Sequence, residues 1–200
     1  MKKIGITGAI GSGKTIICRI FEVLGIPVYY ADEAAKRLMQ HDHLLRTAIR
    51  EHFGHETYDS NGNLNKAFLA KVVFNDKEKL DLLNSLVHPV TIRDAEQWAE
   101  KQNAPYVIKE AALMFESEAF HHVDKVIGVS APEHLRIKRT MDRDHISRGE
   151  VLKRMNNQME EETKMKMCDY IIYNDEQQAV IPQVLKLHEE ILMLQISNNK

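Results

Sequence analysis

The sequence predicts an α/β fold: three layers, α/β/α, around a five-stranded parallel sheet. Three observations predict it. Five short apolar runs recur along the 200 residues. Stretches of helical spacing separate them, as the crossovers of a parallel sheet require. A glycine-rich turn joins the first run to the first helical stretch.

Lys3–Thr7 carries Ile4 and Ile6 and reads as a buried strand. Lys14–Leu24 places Ile16, Ile17, Ile20, Phe21 and Leu24 at helical spacing and stops at Gly25. Pro27–Tyr30 is a short second strand. Ala31–Met39 and Leu44–Phe53 read as helices, and Asp59-Ser60-Asn61-Gly62 as a turn. Asn65 caps a helix to Phe74, and Asn75 caps another through Asn84. His88-Pro89 predicts a break, with helix resuming over Val90–Gln102. Tyr106–Glu110 and Lys125–Val129 are the third and fourth strands. Pro132 suits the first turn of a helix running to about Met141. Ser147-Arg148-Gly149-Glu150 opens a further helix, to Gln158, with a capping-box pattern. Tyr170–Tyr173 is the fifth strand. The last helix spans Gln178 to about Leu194, with Pro182 in its first turn and Val180, Val184, Leu187 and Ile191 on one face. The helical stretch 31–102 is too large for a simple crossover and predicts a helical subdomain at the strand ends, where such sheets bind ligands.

Composition narrows the function classes. With 44% hydrophobic and 28% charged residues, the chain is neither disordered, collagen-like nor a pure coiled coil. Its 27 Lys and Arg against 29 Asp and Glu leave a net charge of −2, which does not advertise nucleic acid or a membrane surface as partner. Cys18 and Cys168 form no Cys-x-x-Cys spacing and read as small buried hydrophobes in a reducing compartment. The first apolar run is too short for a signal peptide, so a cytoplasmic location is expected. His41, His43, His52, His55, His121 and His122 lack the partners of a metal site and read as solvated. No obligate protein partner is evident.

Gly8-Ala9-Ile10-Gly11-Ser12-Gly13-Lys14-Thr15 fits G-x-x-x-x-G-K-[ST] at every fixed position, between a strand and a helix. Glycines let backbone N–H groups converge on phosphate oxygens, and the helix N-terminus adds partial positive charge. Lys14 then reaches the β- and γ-phosphates, and the Thr15 hydroxyl ligates Mg²⁺. A P-loop NTPase fold binding a nucleoside triphosphate follows. The motif leaves kinase, switch GTPase and motor open. No guanine-reading Asn-Lys-x-Asp is present, since Asn65-Lys66-Ala67-Phe68 ends in Phe. Asp59–Gly62 is a turn with no strand before it. One tryptophan, Trp98, argues against an aromatic nucleic-acid groove.

A small-molecule kinase also needs a carboxylate near the acceptor and cations that neutralise the moving phosphoryl group. Asp32 lies just past the second strand, where a helix N-cap is the competing explanation. Residues 134–154 hold seven Lys and Arg against three Asp and Glu. Arg136, Arg139 and Arg143 fall on one helical face there and suggest an arginine-bearing lid.

The ordered set of motifs resembles the dephospho-coenzyme A kinase family, over nearly the whole chain to about Asp175. It comprises Gly8–Thr15, Tyr30-Ala31-Asp32, Val72–Asp76, Leu86–Pro89, Glu110–Glu116, Arg139–Asp144, Arg154 to Gln158, and Cys168–Asn174. The resemblance implies ATP-dependent phosphorylation of the ribose 3′-hydroxyl of dephospho-coenzyme A, the last step of coenzyme A synthesis. It implies a nucleoside-monophosphate-kinase-like layout: a core of about 1–30, 103–135 and 169–200, a helical acceptor-binding subdomain of about 31–102, and a lid of about 136–168. It also makes Asp32 the catalytic carboxylate, with Lys14 and Arg143. Arg139, lying against the adenine, and Asn174 join the nucleotide site. Lys36, His88, Glu110, Phe115 and Arg154 join Asp32 on the acceptor side. A kinase for another small hydroxyl or nucleotide acceptor is the alternative on the same fold.

Four positions depart from the family pattern. Tyr30 replaces the first Asp of Asp-Ala-Asp, Glu110 replaces Asp, Ala112 replaces Pro, and Lys36 stands where Arg is frequent. Tyr30 leaves that position without a carboxylate for Mg²⁺, so the metal is expected to rest on Thr15, phosphates and water, and Lys36 meets a phosphate as a point charge without a bidentate fork.

Overall fold

A computed structural model describes residues 1–74 and 76–197. They form two compact units: residues up to Tyr30 together with those from Lys101 onward, and Ala31–Glu100.

The first unit is built on β1 (Lys2–Thr7), β2 (Val28–Tyr30), β3 (Tyr106–Glu110), β4 (Lys125–Ser130) and β5 (Tyr170–Tyr173). They run in the order β2-β3-β1-β4-β5, every pair parallel. β3 is buried at all five positions, the pattern of a strand covered on both faces. One face is sealed by α1 (Lys14–Val23) and α9 (Val180–Ser197). Ile17 and Phe21 of α1, and Val184, Leu187 and Ile191 of α9, pack there on Ile4, Ile6, Ile108 and Ile127. The four apolar residues expected on one face of α9 lie in or against this core. On the other face a side chain at Gly128 would meet Met165 Sδ at 2.6 Å, so the strand approaches α8 (Glu161–Lys166) as only glycine allows.

Several predicted helix boundaries shift, including those of α9, which begins two residues later and ends three later than expected. Pro132 is the N-cap of α6 rather than inside its first turn, and α6 (Glu133–Asp144) continues past Met141 to a stop at His145 in the left-handed region, φ 54°. The helix opened by Ser147, α7 (Arg148–Met155), has the expected capping box but ends before Gln158. The six-residue α8 is absent from the sequence reading, being too short to show a period.

The second unit holds α2 (Ala31–His41), α3 (His43–Phe53), α4 (Lys66–Phe74) and α5 (Lys77–Glu100) around Leu38, Leu45, Ile49, Phe53, Leu69 and Val87. Asp42 caps α3 by accepting the Leu45 N–H at 2.8 Å, and Asn65 caps α4 through Phe68. Asp59 closes its turn by accepting the N–H groups of Asn61 and Asn63. The predicted cap Asn75 lies outside the described residues; Asp76 accepts the Lys79 N–H at the start of α5. The predicted break at His88-Pro89 does not occur: α5 runs through Pro89. A proline there deletes one i→i−4 bond. Burial of Val87 and Thr91 on either side of it outweighs that loss.

Candidate functional site

The phosphate loop occupies Gly8–Gly13, between β1 and α1, at the C-terminal edge of the sheet. Gly11 and Gly13 have φ of 77° and 93°, where side chains strain the backbone. Space forbids one as well: a Cβ on Gly11 would collide with the Arg136 carbonyl oxygen, and one on Gly13 with Asn174 Nδ2. The neighbours that enforce glycine also fasten the loop. Asn174 Nδ2 donates to the Ser12 carbonyl at 2.9 Å, and the Ile10 N–H donates to Gln158 Oε1 at 2.9 Å. Ser12 N–H donates to the Ala9 carbonyl at 3.1 Å. Lys14 Nζ donates to the Gly8 carbonyl at 2.9 Å, folding the ammonium back over the loop. Thr15 is exposed in the first turn of α1.

One atom fits this loop to an anion. Ser12 is fully buried, and its Oγ finds no hydrogen-bond partner among the described residues. An orphaned buried hydroxyl in a glycine loop at the N-terminus of a helix suits an acceptor-rich ligand such as a triphosphate. For a metal, the fit is with hard oxygen donors. No group of three or more His, Cys, Asp or Glu able to hold an ion occurs among the described residues. The Thr15 hydroxyl at the head of α1 is a hard oxygen of the kind Mg²⁺ takes beside phosphate and water.

Glu110 closes β3 at the same sheet edge. Its register partners are Ile6 of β1 and Tyr30 of β2, so it sits beside the strand that feeds the loop. Glu110 is buried. Burial is the main force pushing the Tyr30 phenol above its ordinary range, joined by the Cys18 thiol and by Glu22. Tyr30 is therefore neutral at physiological pH and does not substitute for the missing carboxylate. Beneath the loop, Cys18 is fully buried. Burial and the nearby Glu110 push its thiol far up, with Lys14 opposing. Phe115 is buried and packs its ring on Phe120 at 5.5 Å, shaping the segment after β3 from within.

The arginines are less free than a solvated basic face suggests. Arg136 is buried, ion-paired with Glu161 Oε2 at 2.7 Å, and donates to the Ala131 carbonyl, so it is an anchor rather than a lid cation. Arg139 donates to the Asn174 carbonyl and pairs with Glu176, both at 3.0 Å, which links it to the loop clamp. Arg143 grips Asp144 with both arms of its fork, at 2.7 and 3.1 Å. Arg154 takes the same carboxylate at 2.7 Å. These guanidinium hydrogen bonds hold the Asp144 carboxyl below its usual range.

In the second unit, Asp32 and Lys36 are both exposed near the start of α2 and lie one turn apart. Asp32 stands two residues past the end of β2. His88 lies in α5, with Arg37 of α2 ion-paired to Asp94 of that same helix at 2.6 Å. Of the residues the sequence assigns to the nucleotide site, Arg139 and Asn174 lie together against the loop. It missed Gln158 as a loop contact, although the residue ended a quoted motif. It also missed Lys164 and Glu161, whose only signal was charge in a polar stretch.

The dephospho-CoA kinase family model matches residues 2–179. A dephospho-CoA kinase of Bacteroides fragilis is 36% identical over 186 residues, covering 92% of this chain and 90% of the relative. A crystal structure of a Thermus thermophilus protein superposes with a TM-score of 0.83 at 32% identity, over 94% of this chain and 96% of that one. The dephospho-CoA kinase from Campylobacter jejuni superposes with a TM-score of 0.69 at 30% identity, covering 96% of this chain and 98% of the other.

Proposed function

The chain belongs to the dephospho-CoA kinase family, and from that premise we infer that it transfers the γ-phosphoryl group of ATP to the ribose 3′-hydroxyl of dephospho-coenzyme A, giving coenzyme A and ADP. The observation that carries the donor half is the glycine loop with its orphaned Ser12 hydroxyl. Family membership carries the acceptor half.

The roles follow from chemistry. Loop N–H groups between Gly8 and Thr15, apart from those of Ile10 and Ser12 that the protein itself takes, and the Lys14 ammonium offset charge on the phosphates as the O–P bond to ADP breaks. The Thr15 hydroxyl is the side chain that would hold Mg²⁺, which would supply neutralising charge at the phosphates. Asp32 orients the acceptor hydroxyl. A ribose hydroxyl is far less acidic than a carboxylic acid, so Asp32 takes its proton late, after the phosphoryl group has largely transferred. Arg143 neutralises the moving group, and Arg139 and Asn174 complete the nucleotide site. Lys36, His88, Glu110 and Arg154 serve the acceptor, with Phe115 supporting the wall. In this reading 31–102 carries the acceptor and 136–168 is the lid.

The test is an acceptor panel. The chain is incubated with ATP, Mg²⁺ and, in turn, dephospho-coenzyme A, AMP, CMP, shikimate or gluconate. Coenzyme A formation from the first alone is expected. Turnover of another acceptor with none of dephospho-coenzyme A would overturn the assignment.

A further inference from the structure

Three contacts run in series from a buried ion pair to the phosphate loop. The Lys164 side chain on α8 has no exposed surface, and its Nζ lies 2.9 Å from Glu116 Oε1. It also donates to the Ala112 carbonyl at 3.0 Å. An ammonium withdrawn from water is tolerated only with such an anionic and hydrogen-bonded setting. The same Glu116 oxygen accepts the Met159 N–H at 2.9 Å. Burial alone would raise the Glu116 carboxyl; the Lys164 and Met159 donors overcome this and hold it low. The residue before Met159 is Gln158, whose Oε1 takes the Ile10 N–H.

The surroundings make this turn rigid. Glu161, at the head of α8, accepts from Ser130 Oγ and the Ala131 N–H and pairs with Arg136. Met165 is buried over Gly128. The turn 156–160 is thus fastened on its α8 side and presents one half-buried amide, Gln158, to the loop. The Ile10 peptide lies between Ala9 and Gly11, where rotation would turn the adjoining amides away from a bound phosphate. Donors fixed before the ligand arrives lose no orientational freedom on binding it.

We propose that Gln158 is a positioning residue for ATP, holding the Ile10 peptide of the phosphate loop, and that the Glu116–Lys164 pair holds Gln158 in turn. This rests on the reading that the loop binds ATP, and it assigns part of ATP affinity to residues that touch no substrate.

The test replaces Gln158 with Met, which keeps length and removes the acceptor. A non-hydrolysable ATP analogue is titrated directly, KM for each substrate and kcat are measured separately, and hydrogen exchange follows the Ile10 amide. The expected result is about a tenfold loss of ATP affinity, the scale of one anchoring hydrogen bond. Ile10 exchange becomes faster, while the acceptor KM and the thermal midpoint hold. The Glu116→Gln variant keeps an oxygen for the Met159 N–H but leaves Lys164 without its counter-charge. It shifts ATP affinity in the same direction and lowers the midpoint as well. Unchanged ATP affinity in Gln158→Met, or an Ile10 amide that stays protected, would overturn the proposal. If the unaltered chain fails to bind the analogue, the ATP reading falls too; normal binding with an indifferent Gln158→Met removes this inference alone.

Discussion

The proposed function divides the chemistry of transfer between Asp32, as an acceptor-side carboxylate, and Arg143, as a donor-side cation. Asp32 is exposed in the first turn of α2. Asp32→Asn should lower kcat by about 100-fold or more with ATP binding retained, as loss of general-base help requires. Steady-state kinetics beside an ATP titration checks this, and near-normal turnover would refute the role. Arg143→Ala should likewise cost about 100-fold or more in kcat. Arg143→Lys should not restore it, because an ammonium cannot reproduce the two-armed grip on Asp144. Recovery by Lys would show that charge alone suffices. At this scale the phosphate loop was legible because its glycines are demanded by sterics at fixed spacing. The state of each arginine was not. Arg136 and Arg143 sit on one helical face, yet one is buried against Glu161 and the other is exposed and paired with Asp144.

The strands were legible as elements because buried parallel strands are short continuous apolar runs, as in Tyr106–Glu110 and Lys125–Ser130. Helices with a clear apolar stripe were legible too, α9 among them. Failures came where tertiary contacts outvote local rules. Six residues of α8 carry no period, and its buried members are Lys164 and Met165. Pro89 is a helix breaker by propensity, yet it lies inside α5. Restoring the missing N–H with Pro89→Ala should stabilise the fold by about 1–3 kcal/mol, net of the freer unfolded chain. Urea denaturation measures it. A loss of stability instead would mean that the ring's packing outweighs the deleted bond.

The whole molecule is near neutral, with 27 basic against 29 acidic residues. No helix among the described residues is long and apolar enough to cross a membrane. Its pH response should include one partly buried pair, Tyr106 and His188, with the phenol oxygen 2.6 Å from Nδ1. Burial lowers the His188 pKa, so the folded state prefers the neutral ring. The unfolded chain then binds more protons between the folded value and the ordinary 6.5 or so. This contribution is complete above that ordinary value and is lost as pH falls below it toward the folded one. Thermal midpoints should therefore drop on acidification below about 6.5, and His188→Phe should flatten that part of the curve. An unchanged slope would remove His188 from the account.

Cys18 gives the core a reporter of its own motion. It lies on α1 beneath the phosphate loop with no exposed surface, whereas Cys168 is partly accessible. A thiol reagent can reach Cys18 only when α1 parts from the sheet, so its labelling rate counts opening events in the native ensemble. ATP, by gripping the loop at the head of that helix, should slow labelling at Cys18 and spare Cys168. Mass spectrometry of the two cysteine peptides would read this. Equal protection of both would point to a global effect instead.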